Sequence, residues 1–315
     1  LAQVIAVTTP TNDNTSSYTF SSTEAGNITY GVCSGSPNNA SADNNTITFD
    51  ALAEGPYSDC KISVTDNASN TSDNLSVSSF TIDTVKPVLA QVTAVTTPTK
   101  DSTPGYAFSS NEAGTISYVG CSPGGTSAIN GTNSISFGTL SDASYSNCTI
   151  TVTDSAGNAS SALSVNTFVV DATAPTVSSV SSSTANGTYR TDGNITLTVT
   201  FIEQVIVDNS NGNPIIQLET GSTDRYAIYS SGSGSNNLSL IYTVVISDNS
   251  TDLGYKASNS LELNSGTIRD SALNDAVLTL PNPGSSNSLS LNKAIVINTT
   301  SIFGTSKYNK SIFGP

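Results

Sequence analysis

Histidine, methionine and tryptophan are all absent from this chain of 315 residues. Without histidine, catalysis by Ser-His-Asp or Cys-His groups, histidine-ligated zinc and histidine-based proton transfer are unavailable. Charged residues are also scarce, at 11% of the chain. No apolar run approaches the roughly 18 residues that a membrane span needs. These absences predict a protein that is not an enzyme and has no membrane insertion within this chain.

The charge that is present is mostly negative. Acidic residues number 24 against 10 basic ones, which gives a formal net charge of −14. Such a chain is repelled by nucleic acid and by anionic membranes. The balance predicts no nucleic-acid partner and makes divalent cations the more plausible ligands.

Polarity is carried instead by hydroxyl and amide side chains. Serine (54), threonine (43) and asparagine (32) together supply 129 of the 315 residues. Threonine favours strands, whereas asparagine and serine bond to their own backbone in turns. The composition therefore predicts many short β-strands and nearly excludes long helices.

The first 88 residues are duplicated. Residues 1–88 align with residues 89–176 without a gap, and 44 of the 88 positions are identical. Short strands are predicted in the first copy near residues 2–8, 16–21, 27–32, 46–50, 59–65 and 75–82. Six or seven strands in such a length are typical of an immunoglobulin-like (Ig-like) sandwich.

A third segment follows the same plan with insertions. Asp192, Glu203 and the stretch Thr267–Ala272 occupy places that correspond to landmarks of the duplicated copies. Its extra length lies in 208–266, where two added or lengthened strands predict a larger sheet. The expected domains are 1–86, 87–174 and an enlarged third domain at 175–300, followed by a short tail at 301–315.

Three stretches carry a resemblance to a known family: Thr153–Asn158, the linker Asp171–Pro175, and Thr184–Val199. They resemble the Ig-like repeats of large bacterial surface adhesins, and the resemblance covers nearly the whole chain. It implies secretion, tandem arrays and often calcium at the domain junctions. The expected fold is all-β, with three tandem Ig-like β-sandwich domains in an extended rod.

The four cysteines lie two to a copy, at Cys33 and Cys60 and at Cys121 and Cys148. Each pair is 27 residues apart and is related to the other by the offset of 88. Disulfides within each copy are expected, which places the protein outside a reducing cytosol. The alternative is four buried free thiols.

Acidic residues recur at matching places. On a sandwich, the loop after the first strand and the end of the last strand face the far loops of the next domain. Carboxylates should therefore collect around each linker and could bind calcium there. The alternative is that these residues initiate Asx turns or are solvated linker residues. The predicted sets are Asp13, Asp83, Glu112 and Asp154 at the first junction, and Asp101, Asp171, Glu203 and Asp270 at the second.

The tail carries four large apolar side chains, Ile302, Phe303, Ile312 and Phe313. An extended tail of this kind could add a strand to an open sheet edge of the next molecule. Alternatively, it folds back on its own third domain or begins another repeat.

Together these features predict a secreted or cell-surface structural protein. It is either a stalk segment of a bacterial adhesin or a subunit of an extracellular fibre assembled by strand donation. Its partners would be copies of itself or further repeats of the same protein. The alternative function makes the third domain a binding module for a glycan or host-surface ligand, through Tyr226, Tyr229 and Tyr242.

Overall fold

The structure is a computed structural model, and it describes residues 1–299. Within that range the regular structure is thirty strands and one helix of four residues, which confirms the all-β expectation. The chain divides into two compact units. The first contains Leu1–Thr97 and Ser102–Val169, and the second contains Pro98–Asp101 and, of the described residues, 170–299.

The first repeat forms three small sheets. The sheet orders are β1-β2-β6-β4, β5-β3-β8-β9 and β10-β7. Its strands are β1 (Ala2–Ile5), β2 (Ser17–Ser22), β3 (Gly26–Tyr30), β4 (Gly35–Ser36), β5 (Asn39–Ala40), β6 (Asp43–Phe49), β7 (Gly55–Tyr57), β8 (Lys61–Thr65), β9 (Leu75–Ser76) and β10 (Phe80–Ile82).

Alternating side chains of these sheets share one core. Tyr18 and Phe20 on β2 and Ile62 and Val64 on β8 are all buried in it. A row of aromatic rings joins the sheets, with Phe80 at 5.8 Å from Phe49 and at 5.3 Å from Tyr57 between ring centroids. Burial of such aromatic side chains dominates core energetics.

The second repeat has closely similar sheets. The sheet orders are β11-β12-β15, β14-β13-β17-β18 and β16-β19, and no strand pair among the described residues joins the two repeats. Its strands are β11 (Leu89–Thr93), β12 (Gly105–Ser110), β13 (Gly114–Val119), β14 (Ser127–Ala128), β15 (Gly131–Ser136), β16 (Ala143–Tyr145), β17 (Thr149–Thr153), β18 (Leu163–Ser164) and β19 (Phe168–Val170).

The third segment has a larger sheet of eight strands, as its insertions predict. The fifteen-residue β22 lies in this sheet and pairs with β20, β25 and β29. Its elements are β20 (Val177–Ser182), β21 (Gly187–Tyr189), β22 (Asn194–Asp208), β23 (Ile215–Glu219), β24 (Arg225–Ser231), β25 (Ser235–Thr243), β26 (Asn249–Ser250), β27 (Gly254–Tyr255), β28 (Leu261–Glu262), β29 (Thr267–Arg269), α1 (Leu289–Asn292) and β30 (Ile295–Asn298).

The beginning and the end of each repeat lie side by side and run parallel. Thr11 bridges Ile82 in the first repeat, and Thr99 bridges Val170 at the corresponding place 88 residues later. In the third segment β21 pairs with β30 in parallel over three residues. We call these three parallel contacts the terminal clasps.

Candidate functional site

One loop recurs three times with the pattern Asp-x-Ala-x-Asn. In the second repeat, Asp154 Oδ1 accepts hydrogen bonds from the backbone N–H groups of Ala156 (2.8 Å) and Asn158 (2.9 Å). The Asn158 side-chain amide donates to the other carboxylate oxygen at 2.9 Å. Asn70 and Asp66, and Asn274 and Asp270, make the same pairs of contacts. The aspartate thus closes the loop, as the Asx-turn alternative expects.

In two of the three loops the asparagine also contacts a linker: residues 83–88 form the first linker, and residues 171–175 form the second. Asn158 Nδ2 donates to the backbone carbonyl of Asp83 at 2.7 Å, and Asn274 Nδ2 donates to that of Asp171 at 2.7 Å. Asn158 is 6% exposed and Asn274 is 8% exposed. A buried hydrogen bond of this kind is costly to leave unmade, so it fixes the linker backbone against the loop. We call this contact the linker lock.

Two further contacts fix the first linker. Glu54 Oε2 accepts from both the N–H and the hydroxyl of Thr84, each at 2.9 Å. Val88 N–H donates to Asn111 Oδ1 at 2.6 Å, and Asn111 N–H donates back to the Val88 carbonyl at 3.3 Å. The linker is therefore held along its length within the first unit.

Each linker lock has a cluster of three carboxylates beside it. Asp83, Glu112 and Asp154 form one, and their carboxylate oxygens lie within 4.8 Å of one another. Asp171, Glu203 and Asp270 form the second on the same criterion, and Asp270 is only 2% exposed. Six of the eight acids predicted as cation ligands are thus brought together.

Electrostatics in the first cluster disfavour the charged forms. Burial raises the pKa of Glu112, and the charges of Asp83, Asp154 and Glu54 raise it further. Burial likewise raises the pKa of Asp83, with Asp154 and Glu54 adding to the shift, while a bond from the Val85 N–H opposes it. Carboxylates in this arrangement repel one another unless a proton or a cation is shared.

Asp13 and Asp101 lie outside the two clusters. Asp13 is exposed, and its Oδ1 accepts from the Thr15 N–H at 2.9 Å and from the Thr15 hydroxyl at 2.8 Å. The N–H of Asp101 donates to Thr99 Oγ1 at 3.1 Å. Glu54 was not predicted from the sequence, yet its charge helps to raise the pKa values of Glu112 and Asp83 in the first cluster. It lies near the linker because its loop reaches Thr84.

The two expected disulfides are present. Cys33 is bonded to Cys60 and Cys121 to Cys148, each with a Cα–Cα distance of 5.2 Å. Among the described residues no free cysteine remains. Two disulfides in one chain indicate an oxidising environment. The same part of the chain contains no helix with the length and apolar character that a membrane crossing requires.

The three tyrosines of the ligand-binding alternative do not share a surface. Tyr242 is 1% exposed, and this burial raises its pKa. Its hydroxyl donates to Asp248 Oδ2 at 2.6 Å, which raises the pKa further. Tyr229 packs against the core from the same sheet. Only Tyr226 is exposed, at 45%. Tyr226 points to the opposite face of the sheet from Tyr229 and Tyr242, because neighbouring residues of a strand point to opposite faces.

The tail residues predicted to take part in assembly lie outside the described residues. They are Ile302, Phe303, Ile312 and Phe313.

Comparison with known proteins gives no family name. No protein-family model matches this chain, and no curated protein matches it.

The linker asparagines were not predicted as functional residues. A usable signal was present, because the spacing Asp-x-Ala-x-Asn occurs at 66–70, 154–158 and 270–274. Two of the three aspartates that open this pattern, Asp154 and Asp270, were predicted as cation ligands. The amide ends, Asn158 and Asn274, are the groups that contact the linkers.

Proposed function

We propose that this chain is a non-enzymatic extracellular structural protein, a load-bearing stalk segment of a cell-surface adhesin. It would consist of three tandem Ig-like β-sandwich domains, the third enlarged. A subunit of an extracellular fibre is the related form of the proposal, in which residues 301–315 would donate a strand to the next copy. Both forms need domains that resist being pulled apart.

The terminal clasps are the observation that carries the proposal. In the first repeat, Thr11 N–H donates to the Thr81 carbonyl at 3.0 Å, and Asp83 N–H donates to the Thr11 carbonyl at 2.9 Å. Tension pulls the two parallel segments in opposite directions. The hydrogen bonds between them are then loaded together in shear rather than opened one after another.

The linker locks support the same function. A stalk transmits force and position only if its linkers are ordered. The Asp83 carbonyl is bonded to Asn158 and the Thr84 N–H to Glu54. These contacts order the first linker at the point where one repeat passes into the next.

A divalent cation, with calcium the best candidate, would complete each acidic cluster. Calcium takes about six to eight oxygen ligands from carboxylates and carbonyls. Asp83, Glu112 and Asp154 supply up to six carboxylate oxygens. Burial and the neighbouring acidic charges raise the pKa values of Glu112 and Asp83, and a bound cation would offset that mutual repulsion. The second cluster, Asp171, Glu203 and Asp270, would bind in the same way.

Calcium binding is tested by titration calorimetry. We expect two sites in the native chain and one in an Asp83→Asn or an Asp171→Asn variant. Asp43→Asn, which changes an exposed strand residue outside both clusters, serves as the matched control. Heat of binding that is unchanged in both linker variants would count against these sites.

The load-bearing function is tested by pulling the chain from its ends. Thr11→Pro removes the N–H that donates to the Thr81 carbonyl. We expect one force peak to fall and the others to stay unchanged. Thr11→Val keeps the backbone bonds and should leave all peaks in place. Equal peaks in Thr11→Pro and the native chain would argue against a mechanical role for the clasp.

A second candidate function is ligand binding by the outer face of the third domain. Ile228 (48% exposed) lies opposite Ile241 (37% exposed) and close to Tyr226 on that face. Exposed apolar side chains that group together often mark an interaction surface. Glycan-array binding that Ile228→Ser and Tyr226→Ser each abolish would support it, and no binding by the native chain would oppose it.

A further inference from the structure

The two disulfides occupy equivalent places in the duplicated repeats, yet they differ in exposure. Cys33 and Cys60 are 1% and 2% exposed, and Cys148 is 1% exposed. Cys121, the equivalent of Cys33, is partly exposed instead. Both disulfides span 27 residues and have a Cα–Cα distance of 5.2 Å. The surroundings of the bridge therefore differ, while the bridged backbone positions do not.

The chain that follows the first cysteine of each pair is held differently in the two repeats. In the first repeat β4 pairs with the end of β6, and the Asp50 N–H donates to the Ser34 carbonyl at 2.9 Å. In the described second repeat, the equivalent positions 123–124 form no strand. There the Ser122 hydroxyl donates to the Thr139 carbonyl at 3.2 Å. The strand that follows Cys33 thus has no counterpart after Cys121.

A cavity lies beside Cys121. It has a volume of about 650 Å³, and Cys121 lines it together with Ser122, Thr139, Leu140 and Tyr145, among others. None of the described residues that line it is charged. The chain as a whole has a net charge of −14. A small anion would therefore meet less repulsion in this cavity than over most of the surface.

We infer that the Cys121–Cys148 disulfide is a thiol-exchange site, at which a small thiolate from the surroundings attacks Cys121 Sγ through this cavity. The rate of thiol–disulfide exchange depends on the access of the thiolate to the sulfur that it attacks. The disulfide of the first repeat, which is buried at both cysteines, reacts more slowly. This inference goes beyond the proposed stalk and does not depend on the clasps or on the acidic clusters.

The exchange takes place in two steps. In the first, the thiolate sulfur forms a bond to Cys121 Sγ while the bond to Cys148 Sγ breaks, and Cys148 leaves with the electron pair and takes up a proton. In the second, another thiolate attacks the sulfur of the small thiol in this mixed disulfide. Cys121 is released as a thiolate and is protonated. Two small thiols are thus oxidised to a disulfide, and the protein disulfide is reduced by two electrons.

Opening this disulfide would give one repeat more extensible chain. The bridge withholds 27 residues, which extend by about 90 Å at about 3.5 Å each. A thiol in the surroundings would therefore lengthen the second repeat under load before it affected the first. The extensibility of the chain would depend on the redox state of the medium.

The test follows the four cysteines of the native chain in reduced glutathione. Free thiols are trapped with N-ethylmaleimide at a series of times, and the cysteine peptides are quantified by mass spectrometry. We expect Cys121–Cys148 to open at least tenfold faster than Cys33–Cys60, which is the internal standard. The first glutathione adduct should lie on Cys121 and not on Cys148. In denaturing urea, where the fold is lost, the two disulfides should react at similar rates.

Variants of Thr139 test whether the thiolate approaches through the cavity, because Thr139 is an exposed residue that lines it. Thr139→Asp should slow the opening of Cys121–Cys148 about threefold, and Thr139→Lys should accelerate it about threefold, because each charge acts on the approaching anion. Thr139→Phe should slow it by filling the cavity. Ala51→Phe, at the equivalent exposed position of the first repeat, is the matched control and should leave it unchanged.

Equal rates for the two disulfides in the native chain, or a first adduct on Cys148, would overturn the inference. A rate difference that persists in urea would also overturn it, because the cause would then be the neighbouring sequence and not the cavity. Rates that do not respond to the charge at position 139 would show that the disulfide opens by local unfolding instead. None of these outcomes alters the force peaks expected of the proposed stalk.

Discussion

The fourth residue of the recurrent loop has a left-handed backbone in all three copies. Its φ is +71° at Ser69, +94° at Gly157 and +70° at Leu273. A left-handed conformation costs an L-residue roughly 1–2 kcal/mol, and glycine avoids that cost. Leu273 is 59% exposed, so its side chain gives little packing in return.

Leu273→Gly should therefore stabilise the second unit. We expect about 0.5–1 kcal/mol, because relief of the backbone strain is partly offset by the greater freedom of glycine in the unfolded chain. Urea unfolding, followed by a probe in the second unit, measures this change in the free energy of unfolding. The reverse change, Gly157→Leu, should destabilise the first unit, and a loss of stability in Leu273→Gly would contradict the argument.

Tyr255 should make stability depend on alkaline pH. Burial raises its pKa to about 12, and its hydroxyl donates to the Pro281 carbonyl at 2.5 Å. Between about pH 10, where an unfolded tyrosine ionises, and pH 12, the folded chain holds the proton and the unfolded chain does not. Stability therefore falls as pH rises through this window.

Tyr255→Phe removes this contribution. We expect the variant to be about 1 kcal/mol less stable at pH 7, from the lost hydrogen bond, and the difference from the native chain to shrink towards pH 12. Chemical unfolding at a series of pH values gives the comparison. A difference that stays constant from pH 9 to pH 12 would show that Tyr255 does not titrate as described.

Strands were easier to predict than the loops between them. Strong alternation, as in Ile47-Thr48-Phe49, identified β6 because every second side chain is buried. The two-residue strands β4, β5 and β9 carry no such period and exist through pairing with longer neighbours. The predicted strand at 75–82 is split into β9 and β10.

In the candidate site, likewise, features fixed by sequence spacing could be predicted, whereas contacts made by irregular loops could not. The duplication gave the cysteine pairs, since spacing and copy number are visible in sequence. It placed Asp83 near Asp154, because both positions follow from strand order. It did not give the direction of the Asp13 side chain, which turns back to Thr15, nor the approach of Glu54 to the linker. Those depend on tertiary contacts in irregular loops.

At the level of the linker, Asn158→Ala should loosen the first link. The Asp83 carbonyl loses its donor, and we expect amides of residues 84–88 to exchange roughly tenfold faster, equivalent to about 1.4 kcal/mol. Asn70→Ala is the matched control, because it breaks the same loop bond, whereas the Asp83 carbonyl accepts from Asn158. Equal effects of the two changes on the linker would show that the lock contributes nothing.

Three structural features recur along residues 1–299. Each repeat joins its beginning to its end through a parallel clasp. Disulfides close loops in the first two repeats, and linkers are bonded to the loop that follows them. Each disulfide also stabilises its repeat by about 3 kcal/mol, because it lowers the entropy of the unfolded chain. These features support the proposed load-bearing stalk.

Pulling the native chain from its two ends, with and without a reductant, tests that account most directly. We expect discrete force peaks, one for each domain. Reductant should lengthen two of the extension steps by about 90 Å, because each disulfide withholds 27 residues that extend by about 3.5 Å each. Smooth extension without peaks, in either condition, would contradict a load-bearing function.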